Sequence, residues 1–447
     1  MEASTTLELS EERINEIAEY LVERRVATLD LDDPTGQTLI HAPISLQPSP
    51  FDKETFENVC SLQLLMNTLI KNLMANFPRV RELLSDLASK DEFTGRLVKI
   101  SEQVAESAYP QLGYLGVVRS DYMFDEESAL PKMIEFNTIA SSLGPLSTGV
   151  NKFHLDLIEK YNPDIDIEKI RKQKDPTEYI ADGLKSAFDF YFGKTDENSD
   201  PDLGIMITIA DRGSPNLIDA SKGIDRLYEK HKIANVYVNW ELITENCSVK
   251  EDGKLMYGDK EVAIAYFRTG YDPTQYVVEE DWEARLMVEK SRAIKCPSID
   301  LHLLTVKKVQ QELNRIEVWN EFCGPELDGI RQFFTGMYSL DVLNEETKEI
   351  IQDAKINHMK YVLKTQREGG GHNYFGEDIP KQLEKEDELW KYSLMERVFP
   401  VRFHANLIRN KVIWSGESVN ELGIFGVLLV KFEENGTHTV LKSEEGG

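Results

Sequence analysis

Polar residues at the end of one extended segment have the chemistry of a nucleotide site. The segment, residues 361–376, reads Tyr-Val-Leu-Lys-Thr-Gln-Arg-Glu-Gly-Gly-Gly-His-Asn-Tyr-Phe-Gly. Alternate side chains of a strand share a face, so Lys364, Gln366 and Glu368 are expected to point the same way. The glycines at 369–371 allow positive φ and let backbone N–H groups turn toward a phosphate. A lysine for phosphate, a carboxylate for metal and a glycine loop indicate ATP, whereas the triple glycine alone also fits a solvated hairpin turn.

A second polar pair lies more than two hundred residues earlier, in Met-Ile-Glu-Phe-Asn-Thr-Ile at 133–139. Glu135 and Asn137 flank Phe136, so both side chains leave one face of a predicted strand while the phenyl ring enters the core. Mg²⁺ prefers a few protein oxygens together with phosphate and water. The pair is either part of a magnesium site or the polar face of an ordinary amphipathic strand.

Several cations stand where they can meet an anion. Arg119 follows two valines in a predicted strand and either pairs with Asp121 or binds an anion. Arg268 ends an apolar strand, where it either binds a carboxylate through its guanidinium fork or is a solvated cap. Lys307 begins a helix and either meets an anion or is an exposed charge beside Lys308.

Three further segments have loop or strand character suited to a ligand site. Small residues at 140–145 form a turn that can press backbone against a ligand, and the turn at 211–216 follows the carboxyl end of a strand, where α/β sheets bind ligands. The segment 392–396 is either a strand whose backbone edge pairs with adenine or a plain edge strand. Because the chain has neither G-x-G-x-x-G nor G-x-x-x-x-G-K-[ST], we expect no dinucleotide site and no P-loop.

The elements that must position these residues follow from periodicity. Residues 10–110 are predicted to be largely helical, with Ser10 as a cap and Pro78 ending the second helix. A hairpin is predicted from strands at 111–124 and 132–139, and a polar linker at 193–201 leads into a parallel strand, helix, strand unit. The segment 295–297 is interpreted as a break, and the last third as rich in strands.

Composition narrows the class of protein. A chain of 447 residues with 41% hydrophobic residues is long enough for two or three packed units. The net charge of −27, without a basic run, argues against binding to nucleic acid or an anionic membrane. The four cysteines form no Cys-x-x-Cys pair, and no apolar run reaches the ~18 residues of a membrane span. We therefore expect a soluble cytoplasmic protein without a zinc site or a disulfide framework.

Taken together, the segments closely resemble eukaryotic glutathione synthetase, in the ATP-grasp superfamily. The resemblance runs in family order over most of the chain. Its motifs are Arg-Ser-Asp-Tyr-Met-Phe at 119–124, Ile-Glu-Phe-Asn-Thr-Ile at 134–139, Tyr-Phe-Arg-Thr-Gly-Tyr at 266–271, Trp-Glu-Ala-Arg at 282–285, Ala-Ile-Lys-Cys-Pro at 293–297, Lys-Lys-Val-Gln-Gln-Glu-Leu at 307–313, Val-Leu-Lys-Thr-Gln-Arg-Glu-Gly-Gly-Gly at 362–371, Leu-Met-Glu at 394–396 and Glu-Leu-Gly-Ile-Phe-Gly at 421–426.

The resemblance implies an α/β fold of the permuted ATP-grasp type and a homodimer. It implies a helical region and first part of the core at 1–201, an inserted parallel α/β substrate domain at 202–305, and the rest of the core at 306–447 with a glycine-rich lid at about 360–420. The implied reaction uses ATP and two Mg²⁺ ions: the cysteinyl carboxylate of γ-glutamylcysteine is phosphorylated, and the amine of glycine then displaces phosphate. Phosphoryl transfer requires positioning and charge neutralisation more than a protein nucleophile.

Site residues carry over one by one. The resemblance implies that Arg119 and Lys364 are catalytic and that the magnesium ligands are Glu135, Asn137 and Glu368. Its ATP contacts are Glu135, Lys307, Lys364, Gln366, Arg367, Glu368, Gly369, Gly370, Gly371, Asn373, Phe375, Met395, Glu396 and Glu421. Its substrate contacts are Arg119, Ile139, Ala140, Ser141, Ser142, Ser214, Asn216, Ala220, Arg268 and Tyr271.

The sequence also departs from the family pattern. Ala140, Ser214, Ala220 and Phe375 replace residues that are usual in the family, which weakens single contacts. The family continues past this point into a Leu-Leu-Arg-Thr-Lys stretch and a Gly-Gly-Val-Ala-Ala-Gly loop that holds the acceptor, whereas here the sequence ends at Gly447. We expect either that this segment is missing or that Lys442 and the last glycines are its remnant. Two alternatives therefore stay open: a ligase with another acceptor, such as alanine or serine, and an ATP-binding homologue without ligase activity.

Overall fold

The strand Gly113–Phe124 lies inside a ten-stranded mixed sheet. The computed structural model describes residues 9–30, 32–33, 37–161, 175–195, 198–211, 214, 217–366 and 373–446. Within them, the main path across this sheet runs from one edge through His438–Gly446, Leu422–Phe432, Gly113–Phe124, Ile294–Cys296, Lys260–Phe267 and Ile205–Ile209 to Asn235–Val238. The fold is thus of the mixed α/β class that the sequence predicts.

The direction of the strands changes at Gly113–Phe124. On one side it pairs antiparallel with Leu422–Phe432, from Gly113 opposite Lys431 to Tyr122 opposite Leu422. On the other side its first half meets Ile294–Cys296 in parallel, and its second half pairs antiparallel with Pro131–Asn137. The strands of the path from Ile294–Cys296 to Asn235–Val238 are parallel to one another, as predicted for the unit after residue 201, whereas His438–Gly446 pairs antiparallel with Leu422–Phe432.

Alternation along the central strand separates two cores. Tyr114 and Val118 face a core that includes the helices Lys53–Ala75 and Phe77–Lys90. Leu115 and Val117 face the opposite core, which includes residues of the helix Pro176–Tyr191. Because both faces of the sheet bury apolar side chains under helices, its strands are held rigidly enough to position polar groups at their ends.

A smaller antiparallel sheet lies beyond the central hairpin. Its strand order is Met337–Ser339, Tyr392–Glu396, Tyr361–Thr365, so the segment from 392 to 396 is the central strand of three. Leu363 and Leu394 from this sheet pack with Ile351 and Ile379 into a separate core. The expectation of an edge strand is therefore wrong, because both sides of the Tyr392–Glu396 backbone already carry ladder hydrogen bonds.

The helical bounds follow local signals closely. Ser10 caps the first helix, as predicted, by accepting from the backbone N–H of Arg13 at 3.2 Å. Pro78 lies in the first turn of the third helix, where its missing N–H costs nothing, rather than at the end of the second. The described α-helices are Glu11–Glu23, Lys53–Ala75, Phe77–Lys90, Glu92–Ala105, Gly144–Tyr161, Pro176–Tyr191, Leu217–His231, Trp240–Asn246, Glu279–Lys290, Ile299–Leu303, Lys307–Leu313, Ile316–Phe322, Glu345–Ile356 and Asp378–Leu383.

Short strands and 3₁₀ turns complete the chain. The interpretation of 295–297 as a break is wrong, since Ile294–Cys296 is a strand of the large sheet and the bend comes only at Pro297. The other described strands are Ala27–Leu29, Leu39–His41, Ile44–Ser45, Cys247–Val249, Leu255–Tyr257, Arg402–Arg409 and Val412–Val419. The 3₁₀ helices are Pro201–Leu203, Pro273–Gln275, Pro325–Leu327, Arg331–Phe333, His358–Lys360 and Glu386–Lys391.

Candidate active site

The register of the central hairpin brings its polar residues together. Arg119 lies opposite Asn137, and Asp121 lies opposite Glu135. Phe136 between them is fully buried, as the alternating pattern predicts. Two carboxylates directly opposite each other repel, so this arrangement requires cations nearby.

Two lysines from other elements supply those cations to Glu135. Its Oε2 atom lies 3.3 Å from Nζ of Lys307 and 3.3 Å from Nζ of Lys364. Lys364 Nζ also donates to the carbonyl of Ile134 at 3.0 Å. Burial by itself would raise the pKa of Glu135, but the two lysines outweigh it and hold that pKa at about 2. The carboxylate is therefore ionised and is shared by both lysines.

The interpretation of Lys307 and Lys308 as exposed helix charges is wrong. Their exposed fractions are 4% and 6%, because the helix Lys307–Leu313 is enclosed between the small sheet and the neighbouring core. Lys308 pairs with Glu312 at 2.9 Å and with Asp341, both of them buried. The helix therefore directs one lysine into the site and anchors itself with the next.

Arg119 does pair with Asp121, one of the two outcomes left open above. Its Nε and Nη2 donate to the two carboxylate oxygens at 2.6 and 2.8 Å, and its Nη1 donates to the carbonyl of Ser142 at 2.7 Å. Asn137 donates from Nδ2 to Asp121 at 2.8 Å, so its amide oxygen is the atom that can bind a cation. Burial raises the pKa of Asp121, and the guanidinium of Arg119 opposes that rise.

A large cavity opens beside this cluster. Its volume is about 710 Å³, and Arg119, Asp121 and Glu421 are among its lining residues. Burial and the charges of Asp121 and Glu135 raise the pKa of Glu421. The cluster has as many acidic as basic side chains: Asp121, Glu135 and Glu421 against Arg119, Lys307 and Lys364. A polyanion that binds together with metal ions can enter this cluster. The three cations can then exchange their carboxylate partners for the polyanion, and the carboxylates can exchange theirs for the metal ions.

A second, small cavity gathers many of the predicted substrate residues. It is lined by Ala140, Ser142, Ala210, Ser214, Leu217, Ala220, Arg268 and Tyr271. Arg268 is 7% exposed and donates from Nη1 to the carbonyl of Ser141 and from Nη2 to Oγ of Ser142, both at 2.8 Å. Among the described residues its Nε–H has no acceptor. A buried guanidinium with a spare donor suits a carboxylate ligand, and it is no solvated cap.

Ile139 and Ser141, which were also predicted to contact substrate, do not line this cavity. Ile139 is buried in a core that includes Ile205 and Ile207, and the single hydroxyl hydrogen of Ser141 lies within reach of the carbonyls of Val117 at 3.3 Å and Asn137 at 3.2 Å. Both residues are therefore placed to shape the loop that follows the hairpin.

The remaining predicted nucleotide residues lie on or beside the small sheet. Gln366 donates to Oγ of Ser393 at 3.1 Å, and Met395 is buried between the strands. Glu396 accepts from the hydroxyl of Tyr338 at 2.7 Å, at the end of its strand. Asn373 and Phe375 are exposed and flank Tyr374, whose backbone pairs with Leu363. This pairing fixes the described ends of the predicted glycine loop next to each other.

Some predicted residues lie outside the described part of the chain: Arg367, Glu368, Gly369, Gly370, Gly371 and Asn216. Within the described ranges, no group of three or more His, Cys, Asp and Glu side chains is arranged to hold a metal ion. Glu135 and Asn137 nevertheless offer two hard oxygen donors on one strand face, which is the donor type that Mg²⁺ takes.

Sequence reasoning missed two groups of supporting residues. Ser393 and Gln311 extend a hydrogen-bonded chain from the predicted Gln366 beside Lys364, with Ser393 donating to Gln311 at 2.6 Å. Asp219, in the first turn of the helix Leu217–His231, is 4% exposed and accepts two backbone N–H groups. Position in a first turn signals a capping residue, but nothing in the sequence reveals which backbone it caps.

Known proteins resemble this chain over nearly its full length. A family model described as the ATP-binding domain of eukaryotic glutathione synthase matches residues 8–447. The chain is 33% identical to glutathione synthetase of Mus musculus over 98% of its own length and 92% of the relative. It is also 33% identical to chloroplastic glutathione synthetase of Solanum lycopersicum, over 92% of its length and 74% of the relative.

A solved structure shares the fold. It is an apo form of a glutathione synthetase like-effector from Globodera pallida, with a TM-score of 0.75 over 98% of this chain and 94% of that one, at 19% identity. The resemblance stated from the motifs is thus confirmed by the family match and by relatives at 33% identity. The chain belongs to the eukaryotic glutathione synthase family, whose members are ATP-dependent ligases.

Proposed function

We propose that this protein is a glutathione synthetase, which joins γ-glutamylcysteine to glycine and cleaves ATP to ADP and phosphate in the same reaction. The observation that carries the proposal is the family match over residues 8–447, combined with the cluster in which Lys307 and Lys364 share Glu135. No protein nucleophile is needed, because the donor carboxylate itself attacks the terminal phosphate.

The charged residues of the cluster bind ATP and its metal ions in this proposal. Lys307 and Lys364 bind the phosphate oxygens of ATP. These oxygens replace Glu135 as the ion-pair partner of the two lysines. Glu135 and Asn137, with Glu368 as a third ligand, would hold two Mg²⁺ ions, which would neutralise charge on the phosphates. Arg119 stabilises the transferring phosphoryl group. A hydrogen bond from its Nη1 to the Ser142 carbonyl holds the guanidinium beside the cavity.

Only one end of the donor binds at the small cavity, which is too small to enclose the whole molecule. Arg268 binds its terminal carboxylate through the guanidinium, with the hydroxyls of Ser142 and Tyr271 alongside. The glycine amine then attacks the acyl phosphate, a new C–N bond forms, and phosphate leaves with the electrons of the C–O bond. Asn216 and the glycines at 369–371 complete the donor site and the lid in this proposal.

Finer features rest on the family resemblance. They are a homodimer, a cytoplasmic location, and the division into 1–201, 202–305 and 306–447. No described helix is long and apolar enough to cross a bilayer, and relatives include chloroplastic forms.

A second candidate, which the sequence leaves open, is a ligase with another acceptor such as alanine or serine. The two candidates share the ATP and donor chemistry and differ only in the amine.

A single assay tests both. The protein is incubated with ATP, Mg²⁺ and γ-glutamylcysteine, with glycine, alanine or serine as acceptor, and ADP and tripeptide are measured together. ADP and glutathione with glycine support the proposal, and preference for another amine supports the second candidate. ATP binding without ADP or tripeptide for any acceptor would reject ligase activity.

A further inference from the structure

One loop joins the two arginines of the site. It runs from Ala140 to Leu143, directly after the central hairpin. Its Ser142 carbonyl accepts from Arg119 at 2.7 Å, while its Ser142 hydroxyl and Ser141 carbonyl accept from Arg268 at 2.8 Å. A shift of this loop therefore moves both guanidinium groups at once.

The loop is held in an unfavourable backbone conformation. Ala140 has a φ of 49° and Leu143 a φ of 77°, both in the left-handed region. Neither residue is glycine, so each position is disfavoured for its side chain and persists only where neighbouring groups fix it.

Asp219 is the group that fixes it. Its Oδ2 accepts from the backbone N–H of Leu143 at 2.9 Å, and its Oδ1 accepts from that of Leu146 at 2.8 Å. Leu146 lies in the first turn of the helix Gly144–Tyr161, where Leu143 before it offers no side-chain acceptor. One carboxylate from a different helix therefore caps this helix and secures the end of the loop.

We propose that Asp219 is a positioning residue for the reaction: it sets the Ala140–Leu143 loop so that Ser142 holds Arg119 and Arg268 in register between the phosphoryl-transfer cluster and the donor cavity. Asp219 does not line either cavity described above. It acts through the loop, and its kinetic consequence rests on the proposed function.

The test compares Asp219→Ala and Asp219→Asn with Asp225→Ala. Asp225 lies two turns later on the same helix and pairs at the surface with Arg25. Hydrogen exchange of residues 139–147 should be about tenfold faster in Asp219→Ala than in the control, because two charge-assisted hydrogen bonds are lost. The KM for γ-glutamylcysteine should rise about tenfold or more while the KM for ATP stays within about twofold. For Asp219→Asn, which keeps one acceptor oxygen, the exchange rate and the KM for γ-glutamylcysteine should lie between those of Asp219→Ala and those of the control.

Exchange and donor KM equal to those of the control in a folded Asp219→Ala protein would overturn the proposal. If Asp219→Ala does not fold, Asp219→Asn decides in the same way, because it is isosteric and adds no charge. Absence of turnover in the unaltered protein would reject the proposed function, whereas the exchange comparison would still decide the role of Asp219 in fixing the loop.

Discussion

Replacing Lys308 with methionine is expected to destabilise the protein by about 3 kcal/mol. Lys308 Nζ contacts Glu312 at 2.9 Å and also contacts Asp341, and the exposed fractions of the three side chains are 7%, 7% and 3%. Methionine keeps the length and apolar stem of lysine but removes the charge. Glu312 retains Arg315 at 2.9 Å, whereas Asp341 would keep no cation among the described residues.

The magnitude follows from that difference. Removing one partner of a buried ion pair costs about 3–5 kcal/mol, and the lower end applies because one carboxylate rather than two is left alone. Since the cost comes from an uncompensated charge, Lys308→Met combined with Asp341→Asn should recover at least about half of it. Lys348→Met, which breaks an exposed pair with Glu345, should change stability by less than about 0.5 kcal/mol.

Urea unfolding at pH 7, followed by tryptophan fluorescence, measures all three variants. A Lys308→Met protein within about 0.5 kcal/mol of the unaltered chain would refute the reasoning. So would a double variant that is less stable than the single one, because the penalty would then not arise from the orphaned carboxylate.

Three other predictions follow from single side chains. Burial raises the pKa of Asp300 to about 6. Its charge therefore lowers the stability of the fold above that pH, and this cost fades as the pH falls toward 3.8. In urea titrations, Asp300→Asn should stabilise the protein by up to about 3 kcal/mol at pH 7.5 and by about 1 kcal/mol at pH 4.5, and an equal gain at both pH values would contradict this prediction. Lys364→Met should raise the KM for ATP about tenfold or more with little change for the donor; an unchanged ATP dependence would exclude the lysine from the nucleotide site. Arg268→Lys should weaken calorimetric binding of γ-glutamylcysteine about tenfold or more, because lysine lacks the guanidinium fork, and unaltered affinity would count against a carboxylate there.

Local periodicity predicts part of the site well. Phe136 is the apolar residue between two polar ones, so the strand period alone places Glu135 and Asn137 on one face, and the hairpin is confirmed. The strand Tyr361–Thr365 is likewise confirmed, with Lys364 facing the site. These features depend on residues that are neighbours in sequence.

Features that depend on distant packing could not be predicted. Lys307 and Lys308 look like exposed helix charges because a charged pair at a helix start is normally solvated, and only the small sheet and Asp341 reveal their burial. The strand Tyr392–Glu396 looks like an edge because its partner Met337–Ser339 is three residues long and has no clear strand pattern. In both cases the deciding contact lies more than thirty residues away.

The pairing of Gly113–Phe124 with Leu422–Phe432 also bears on how the chain folds during synthesis. Gly113 and Lys431 are partners, so about 300 residues must be made before one whole side of the central strand finds its neighbour. At about 5–20 residues per second this takes roughly 15–60 s. Throughout that time an apolar strand has unpaired backbone groups, which is the situation that invites association between chains. We therefore expect this strand to be a site of association between chains while the protein is being made.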